Sequence, residues 1–359
     1  MSLASQIVNN CLAITSKDNV TIFLYPHNLT LAEEIADECF KNGADVNLSL
    51  YSDQFLLSYM TRLSVESLEQ PSVFCRALTE NSTAEIWMAG TSDPSILRKI
   101  PPEKNSASNV GEFKAHWPAT KEHKVRSLSL GVSLVTKQRA ATYGFDFERW
   151  RRMVYAASNV DYSKLAETGK RLKETLQGGR SVEILGPEET KLALDISGRR
   201  WYLSDGVVDE ADVAAENFGD EIPAGSLYAA PLEESAQGTI SFNVKIPYLG
   251  RQIGRLKWKF DDGRVVEFSG DPSIKPLKQE WDQAPGDKDR IASLWVGLNP
   301  KAEAGYTSNN IVSGAVSVGI GGNEDIGGKN KPGFSFVDTI VGATLRVDGK
   351  TIIEKGRLS

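Results

Sequence analysis

The chain has 359 residues, of which 40% are hydrophobic and 25% charged, and its formal net charge is −6 at pH 7. This length predicts two domains of ordinary size, and the average globular composition argues against extended disorder. The acidic balance argues against a nucleic-acid partner, because proteins that bind phosphate backbones normally carry a basic excess.

The first half of the chain alternates helical and β-rich segments. In chain order, apolar periodicity predicts a helix over 3–14, a strand over 19–26, a helix over 30–44, strands over 45–53, 84–90 and 125–136, and a helical region from about 146 to 177. Strands joined by helices at this spacing pair in parallel. The pattern therefore predicts an N-terminal α/β domain with a mainly parallel sheet.

The pattern changes after the glycine pair Gly178–Gly179 to short β-rich runs separated by glycine turns. Polar and apolar residues alternate in RLKWKF (255–260), as is typical of antiparallel strands with one face toward water. We therefore predict a domain boundary at this glycine pair. Residues 1–177 would form the α/β domain, and residues 178–359 a β-rich α+β domain.

Cysteine usage favours a reducing compartment. Cys11, Cys39 and Cys75 are odd in number and form no CxxC pair, so neither a disulfide framework nor a thiolate zinc site is expected. The sequence shows no signal-like leader, and no apolar run approaches the ~20 residues that a membrane span requires. We expect a cytoplasmic protein with no membrane partner.

All three histidines lie within the first 123 residues of the chain. His27 is expected in a turn. His116 and His123 stand beside prolines and lysines, where loop histidines are expected, and they would form only a weak metal pair.

The second half contains six distinctive segments in a fixed order. They are TKLALDISGRRW, EIPAGSLYAAPLEESAQGTI, DDGRVVEFSG, RIASLWVGLNP, NNIVSGAVSVGIGGNEDIGGKNKPGFSFVD and LRVDGKTIIEKG. In order and spacing this set resembles the C-terminal domain of the thermophilic metalloprotease family, which includes aminopeptidases T and S, and also the related 2,5-dihydroxypyridine dioxygenases. The first half is compatible with the family but much less specific. The resemblance implies the family's fold, a leucyl aminopeptidase type of activity with two divalent ions such as zinc or cobalt, and a homodimer whose subunits share a cavity.

The family's metal ligands, carried across position by position, fall mostly on side chains that do not bind metal. The resemblance places them at Ser226, Ser293 and Asn310 in place of glutamates, at Ser317 and Phe336 in place of histidines, and at Asp338, where the aspartate is kept. Without these imidazoles and carboxylates, a divalent ion would lose nearly all of its charge compensation. We therefore expect no metal cofactor, and a neutral, partly apolar pocket at these positions.

Acidic residues near these motifs leave a relocated metal site open. Glu233, which we include in the former active-site cleft, sits at a turn, and Glu324 and Asp325 lie in a glycine-rich loop, so all three are expected to be surface carboxylates. Asp338 is the one ionisable group kept among the ligand positions. Burial beside Phe336 should raise its pKa and would suit a general acid or base.

Three functions are compatible with this pattern, and the sequence does not decide whether the protein is an enzyme. The first is a catalytically degenerate aminopeptidase-like protein that holds a peptide or small molecule in the cleft without metal-dependent hydrolysis. The second is an active metal-dependent aminopeptidase with relocated ligands. The third is a metal-free enzyme that uses Asp338.

Overall fold

A computed structural model describes residues 2–88 and 90–359. The chain forms two compact units, each assembled from two separate stretches of sequence. The first unit contains the residues up to Ser158 together with Gly206–Ala224, and the second contains Asn159–Asp205 and Gly225–Ser359. The sequence predicts a single boundary between residues 177 and 178. The structure differs from this prediction in two segments: residues 159–177 belong to the second unit, and residues 206–224 belong to the first.

Serine side chains begin several of the helices. Ser52, Ser64 and Ser72 each accept a hydrogen bond from the backbone N–H three residues later, which satisfies a donor that has no partner inside the helix. The α-helices are α1 (Leu3–Gln6), α2 (Leu29–Lys41), α3 (Asp53–Arg62), α4 (Val65–Leu68), α5 (Val73–Glu80), α6 (Pro102–His123), α7 (Lys137–Tyr143), α8 (Phe147–Ser158), α9 (Tyr162–Leu176), α10 (Glu210–Ala214) and α11 (Lys275–Gln283).

Strands form three sheets and one separate hairpin. They are β1 (Asn19–Leu24), β2 (Asp45–Leu50), β3 (Ala84–Met88), β4 (Arg126–Leu130), β5 (Ser181–Leu185), β6 (Lys191–Asp195), β7 (Tyr202–Ser204), β8 (Gly219–Ile222), β9 (Ser226–Ala229), β10 (Gln237–Ser241), β11 (Ile246–Tyr248), β12 (Arg251–Ile253), β13 (Lys257–Asp261), β14 (Arg264–Ser269), β15 (Ile291–Gly297), β16 (Val316–Gly321), β17 (Ser335–Ile340), β18 (Thr344–Val347), β19 (Lys350–Glu354) and β20 (Arg357–Leu358).

The first unit is built on a five-stranded sheet in the order β2-β1-β3-β4-β8, and every pair in it is parallel. The inner strands β1 and β3 are buried over most of their length, as expected of parallel strands covered on both faces. Strand β8 joins this sheet from the segment 206–224. The predicted parallel α/β architecture is confirmed.

Two predicted elements of the first unit end earlier than expected. The strand predicted over 125–136 stops at Leu130, because Gly131–Leu134 form a 3₁₀ turn. A Cβ at position 131 would lie 3.0 Å from Pro223 Cδ and 3.2 Å from the Ile222 backbone oxygen, so any larger residue would be tightly packed against the segment that ends β8. The helix predicted over 3–14 is α-helical only to Gln6 and continues as a π-helical turn over Ile7–Cys11.

The second unit contains two antiparallel sheets and the β11-β12 hairpin. The larger sheet has the order β14-β13-β10-β6-β5-β18-β19-β20, and the smaller one has the order β17-β16-β15-β9-β7. Their facing surfaces share an aromatic core, in which Phe336 of β17 lies 6.2 Å from Trp258 of β13, centroid to centroid. Phe242 packs edge-on against the same indole. This confirms the predicted β-rich second half and its mainly antiparallel pairing.

All three cysteines lie in the first unit. Cys11 and Cys39 are buried, and Cys75 is half-buried; none of the three forms a disulfide. Within residues 2–88 and 90–359, no helix combines the length and the apolarity that crossing a bilayer requires.

Two glycines inside helices test how tightly α6 and α9 pack against neighbouring segments. A Cβ on Gly111 of α6 would lie 2.0 Å from the backbone oxygen of Leu68, whereas one on Gly169 of α9 would meet only the tip of the Leu203 side chain, at 2.3 Å. Both alanine variants gain about 1 kcal/mol of helix propensity. Because backbone cannot move aside as a side chain can, we expect Gly111→Ala to destabilise the protein by about 1–3 kcal/mol. Gly169→Ala should cost less, as measured by urea unfolding, and equal losses would contradict this account.

Candidate functional site

Three of the predicted cleft residues share one face of the β17-β16-β15-β9-β7 sheet. Ser317 pairs with Trp295 on β15 and with Thr339 on β17, and residues directly opposite one another in antiparallel strands point to the same side. Ser293 lies two residues from Trp295 on the same strand, and Ser226 pairs with Gly297, two residues further along. We call the surface formed by Ser226, Ser293 and Ser317 the serine face.

Each serine of this face is buried, and two of them have a hydrogen-bond partner. The hydroxyls of Ser317 and Thr339 lie 2.8 Å apart, and the Trp295 indole N–H donates to Ser293 Oγ at 2.8 Å. Ser226 Oγ makes no hydrogen bond to any described residue. A buried hydroxyl without a partner is costly, so the Ser226 oxygen is an unsatisfied polar atom enclosed within the unit.

Aromatic rings extend the serine face toward the β7 edge. Tyr202, Tyr228 and Trp295 stack in sequence across β7, β9 and β15, with centroid separations of 5.4 Å and 4.2 Å. The Arg200 guanidinium lies over the Tyr202 ring at 5.0 Å. The partly exposed rings therefore offer flat apolar area, whereas the serine hydroxyls of the same face are buried.

Phe336 and Asp338 lie on the opposite face of the same sheet, which corrects the prediction of one cleft containing all of these residues. Asp338 pairs with Val318 and Phe336 with Ile320, so their side chains alternate with those of Thr339 and Ser317. Phe336 packs against Tyr248 and Trp258, in the core between the two sheets of the second unit. The pairing register separates the retained aspartate from the serines.

Asp338 is only 2% exposed, and burial raises the pKa of its carboxyl well above the usual range, as the sequence predicts. The Thr339 backbone N–H, which donates to Asp338 Oδ1 at 2.7 Å, partly offsets this effect. Burial therefore favours the protonated, uncharged form of this core carboxyl. It is not placed to contact a substrate.

Asn310 lies in a cavity of about 340 Å³ at the edge of β17. Its amide makes no hydrogen bond to any described residue, whereas the neighbouring Asn309 side chain is held by Gly305 and Tyr306. The cavity lining is uncharged and consists of Ile246, Pro247, Trp295, Tyr306, Thr307, Ser308, Asn309, Asn310, Phe336, Val337 and Thr339. Trp295 and Thr339 join this cavity to the serine face.

Glu233 lies at the other end of β15, away from Asn310. It borders a separate cavity of about 600 Å³ that is also lined by Glu234, Asp287 and Arg290. Its carboxylate pairs with Arg199 and accepts the Lys329 backbone N–H at 2.8 Å. The expected surface carboxylate is in fact a mostly buried partner of an arginine, so it is already neutralised.

The donor set does not fit the two divalent ions that the resemblance implies. In the part of the chain that the structure describes, no three His, Cys, Asp or Glu side chains come together in a way that could hold a metal ion. The serine face supplies hydroxyls only, and Asp338 faces the core. Neutral hydroxyls do not provide the anionic oxygen that hard divalent cations require.

A polar cluster in the first unit was missed in the sequence. His116 lies in α6, not in the expected loop, and its Nε2 is 2.6 Å from Cys75 Sγ of α5. Glu85 of β3 lies behind it, 3.9 Å from Nδ1. Residues 102–123 form one long helix, but Pro118 and the lysines in this segment made the helix hard to recognise in the sequence.

Comparison with known families decides the relationship. The model of the thermophilic metalloprotease (M29) family matches residues 1–286. The chain belongs to this family. The match takes in the first half, which by sequence pattern is the less specific part, and it ends before Ser293, so most of the carried-over ligand positions lie beyond it.

Solved structures of low sequence identity share the fold over nearly the full chain. Wild-type AmpT from Thermus thermophilus is 15% identical with a TM-score of 0.75, and the alignment covers 99% of this chain and 98% of AmpT. The 2,5-dihydroxypyridine dioxygenase from Pseudomonas putida is 12% identical with a TM-score of 0.64, over 99% of this chain and 96% of that one. The comparison with curated proteins gives no match. The fold class predicted from the sequence is confirmed.

The burial of Asp338 leads to a pH-dependent prediction. A carboxyl whose pKa is higher in the folded state stabilises folding most at low pH, and the protein loses that contribution as pH rises. Asp338→Asn keeps the oxygen that accepts the Thr339 N–H but does not ionise. We expect the variant to gain stability relative to the wild type between about pH 4 and about pH 7, measured by urea unfolding. A constant difference across this range would show that Asp338 is not a buried titrating group.

Proposed function

We propose that this chain is a catalytically degenerate member of the thermophilic metalloprotease family. In this proposal it binds a peptide or small molecule at the serine face and the adjoining cavity without metal-dependent hydrolysis. The observation that carries the proposal is the chemistry of the donors: the ligand positions on this face are Ser226, Ser293 and Ser317. Hydrolysis by metal-bound water needs anionic or imidazole ligands, and this face has none.

The form of the site favours a neutral ligand with amide-like hydrogen bonding. The free Asn310 amide offers both donors and an acceptor, and the Ser226 hydroxyl is unpaired. Trp295, which lines the same cavity as Asn310, supplies apolar contact area. A cavity of about 340 Å³ lies within the size range of small-ligand sites and suits a peptide unit.

An active aminopeptidase with relocated ligands is the second candidate. The 600 Å³ cavity favours it, because Glu233, Glu234 and Asp287 all line that cavity. However, Arg199 neutralises Glu233, and Arg290 lies within 4 Å of both other carboxylates. The third candidate, catalysis by Asp338, is not supported, since that carboxyl is enclosed in the core.

The remaining parts of the proposal rest on the sequence and the family resemblance. The protein would be a cytoplasmic homodimer, and its partner would be the bound peptide or small molecule, with no nucleic acid involved. Its neutral site would allow it to hold a peptide for another enzyme.

Metal analysis separates the first two candidates. After extensive dialysis, we expect no stoichiometric zinc, cobalt or iron by mass spectrometry, and no turnover of Leu-p-nitroanilide with or without added zinc or cobalt. Stoichiometric metal together with turnover would overturn the proposal. Loss of that turnover in Glu234→Gln and Asp287→Asn would then assign the activity to the 600 Å³ cavity.

Ligand binding tests the site itself. We expect N-acetyl-leucinamide to bind, as detected by saturation-transfer NMR, and Asn310→Ala to weaken binding about fivefold, which corresponds to one neutral hydrogen bond of ~1 kcal/mol. Glu234→Gln, at the opposite end of β15, is the control and should bind as the wild type does. Absence of binding, or equal weakening by both variants, would contradict a site at Asn310.

A further inference from the structure

The Cys75–His116 contact lies entirely within the first unit and is independent of the serine face. Cys75 Sγ lies 2.6 Å from His116 Nε2, and the Thr79 hydroxyl lies 3.0 Å from His116 Nδ1. The same hydroxyl lies 3.2 Å from the Cys75 carbonyl oxygen. Its single proton can go to this carbonyl oxygen or to the Glu85 carboxyl, which also accepts a hydrogen bond from Thr79. With the proton donated to either acceptor, the hydroxyl accepts from Nδ1–H, and in that tautomer the unprotonated nitrogen is Nε2, facing the thiol.

A buried carboxyl completes this arrangement. Glu85 Oε2 lies 3.9 Å from His116 Nδ1 and accepts the Trp87 indole N–H at 3.2 Å. Its second oxygen, Oε1, has no hydrogen-bond partner in the described structure, although Glu85 is only 2% exposed. A carboxyl behind an imidazole stabilises the imidazolium that forms when the ring takes up a proton.

The thiol also lies in the first turn of helix α5. Ser72 caps this helix and accepts the Cys75 N–H, whereas the N–H groups of Val73 and Phe74 have no partner among the described residues. Free N–H groups at a helix N-terminus favour negative charge nearby. They would stabilise an oxyanion that forms next to Cys75.

Aromatic side chains surround the pair and leave it accessible. His116 packs edge-on against Trp87 at 4.9 Å, and Tyr51 packs edge-on against Phe55, which is 56% exposed. Cys75 itself is half-buried, unlike Cys11 and Cys39. The surroundings favour a ligand with an apolar or aromatic group.

The resting pair is uncharged. Burial, with the nearby carboxyls of Glu85 and Glu112, raises the pKa of the Cys75 thiol to about 12. Burial alone lowers the pKa of His116 to about 4. At neutral pH a protonated thiol therefore faces an unprotonated imidazole, so the sulfur needs the ring to remove its proton as it reacts.

We propose that Cys75 is a nucleophile that accepts acyl groups from aryl esters or thioesters, with His116 as its general base and Glu85 as a positioning residue. The Cys75 S–H proton moves to His116 Nε2 while Sγ attacks the carbonyl carbon. The bond from that carbon to the leaving oxygen or sulfur then breaks. The leaving group takes the proton from the imidazolium, which leaves an acyl thioester on Cys75.

Acetylation by p-nitrophenyl acetate tests this proposal on the full chain. Peptide mass spectrometry should find one acetyl group on Cys75, whereas the buried Cys11 and Cys39 serve as internal controls and should react at least about tenfold more slowly. His116→Gln should slow acetylation of Cys75 about a hundredfold, the usual contribution of a general base. Equal rates in the wild type and His116→Gln, with circular dichroism showing that both are folded, would overturn the proposal.

The pH profile distinguishes a general base from a merely structural histidine. With His116 acting as base, the rate should be flat from about pH 6 to about pH 8, since the ring is already unprotonated there. A free thiolate route would instead rise about tenfold per pH unit over this range, and that slope in the wild type would also contradict the proposal. Glu85→Gln keeps the shape of the side chain and should lower the flat rate without introducing a slope. The titratable groups that face the pair are Glu85 from β3, Glu112 from α6, and Tyr51 and Tyr59.

Discussion

The pairing register of β15, β16 and β17 is the constraint on which the chemistry of the second unit depends. Because side chains alternate between the two faces of a strand, the pairing of Ser317 with Thr339 places Asp338 on the other side of the sheet. The two faces then differ in character. One carries hydroxyls and stacked rings, and the other carries the aromatic core around Trp258.

Charge is distributed differently in the two candidate sites of this chain. The serine face carries hydroxyls, which form hydrogen bonds without charge. The Cys75 cluster keeps its ionisable groups but holds the thiol and His116 uncharged by burial. Both sites lie in surroundings of low polarity, where an unpaired polar atom such as Ser226 Oγ or Glu85 Oε1 is costly.

Much of the architecture could be predicted from the sequence, because hydrophobic periodicity and glycine turns are local signals. The parallel first sheet and the antiparallel second half followed from them. The ordered motifs pointed to Ser226, Ser293 and Ser317 as cleft residues, which stays a prediction, and the structure places the three on one sheet face. Contacts between distant segments could not be predicted. The separation of Asp338 from Ser317 depends on the pairing register of the strands. The contact between Cys75 and His116 depends on the packing of α5 against α6. Neither can be predicted from the spacing of residues along the chain.

The return of residues 206–224 to the first unit has a consequence for synthesis on the ribosome. Strand β4 is complete once residue 130 has emerged, but its outer edge pairs with β8, which ends at residue 222. During the intervening elongation the nascent chain exposes unsatisfied backbone groups along β4, the kind of edge that recruits other strands. This edge therefore stays unpaired for longer during synthesis than the edge of a first domain that is contiguous in sequence.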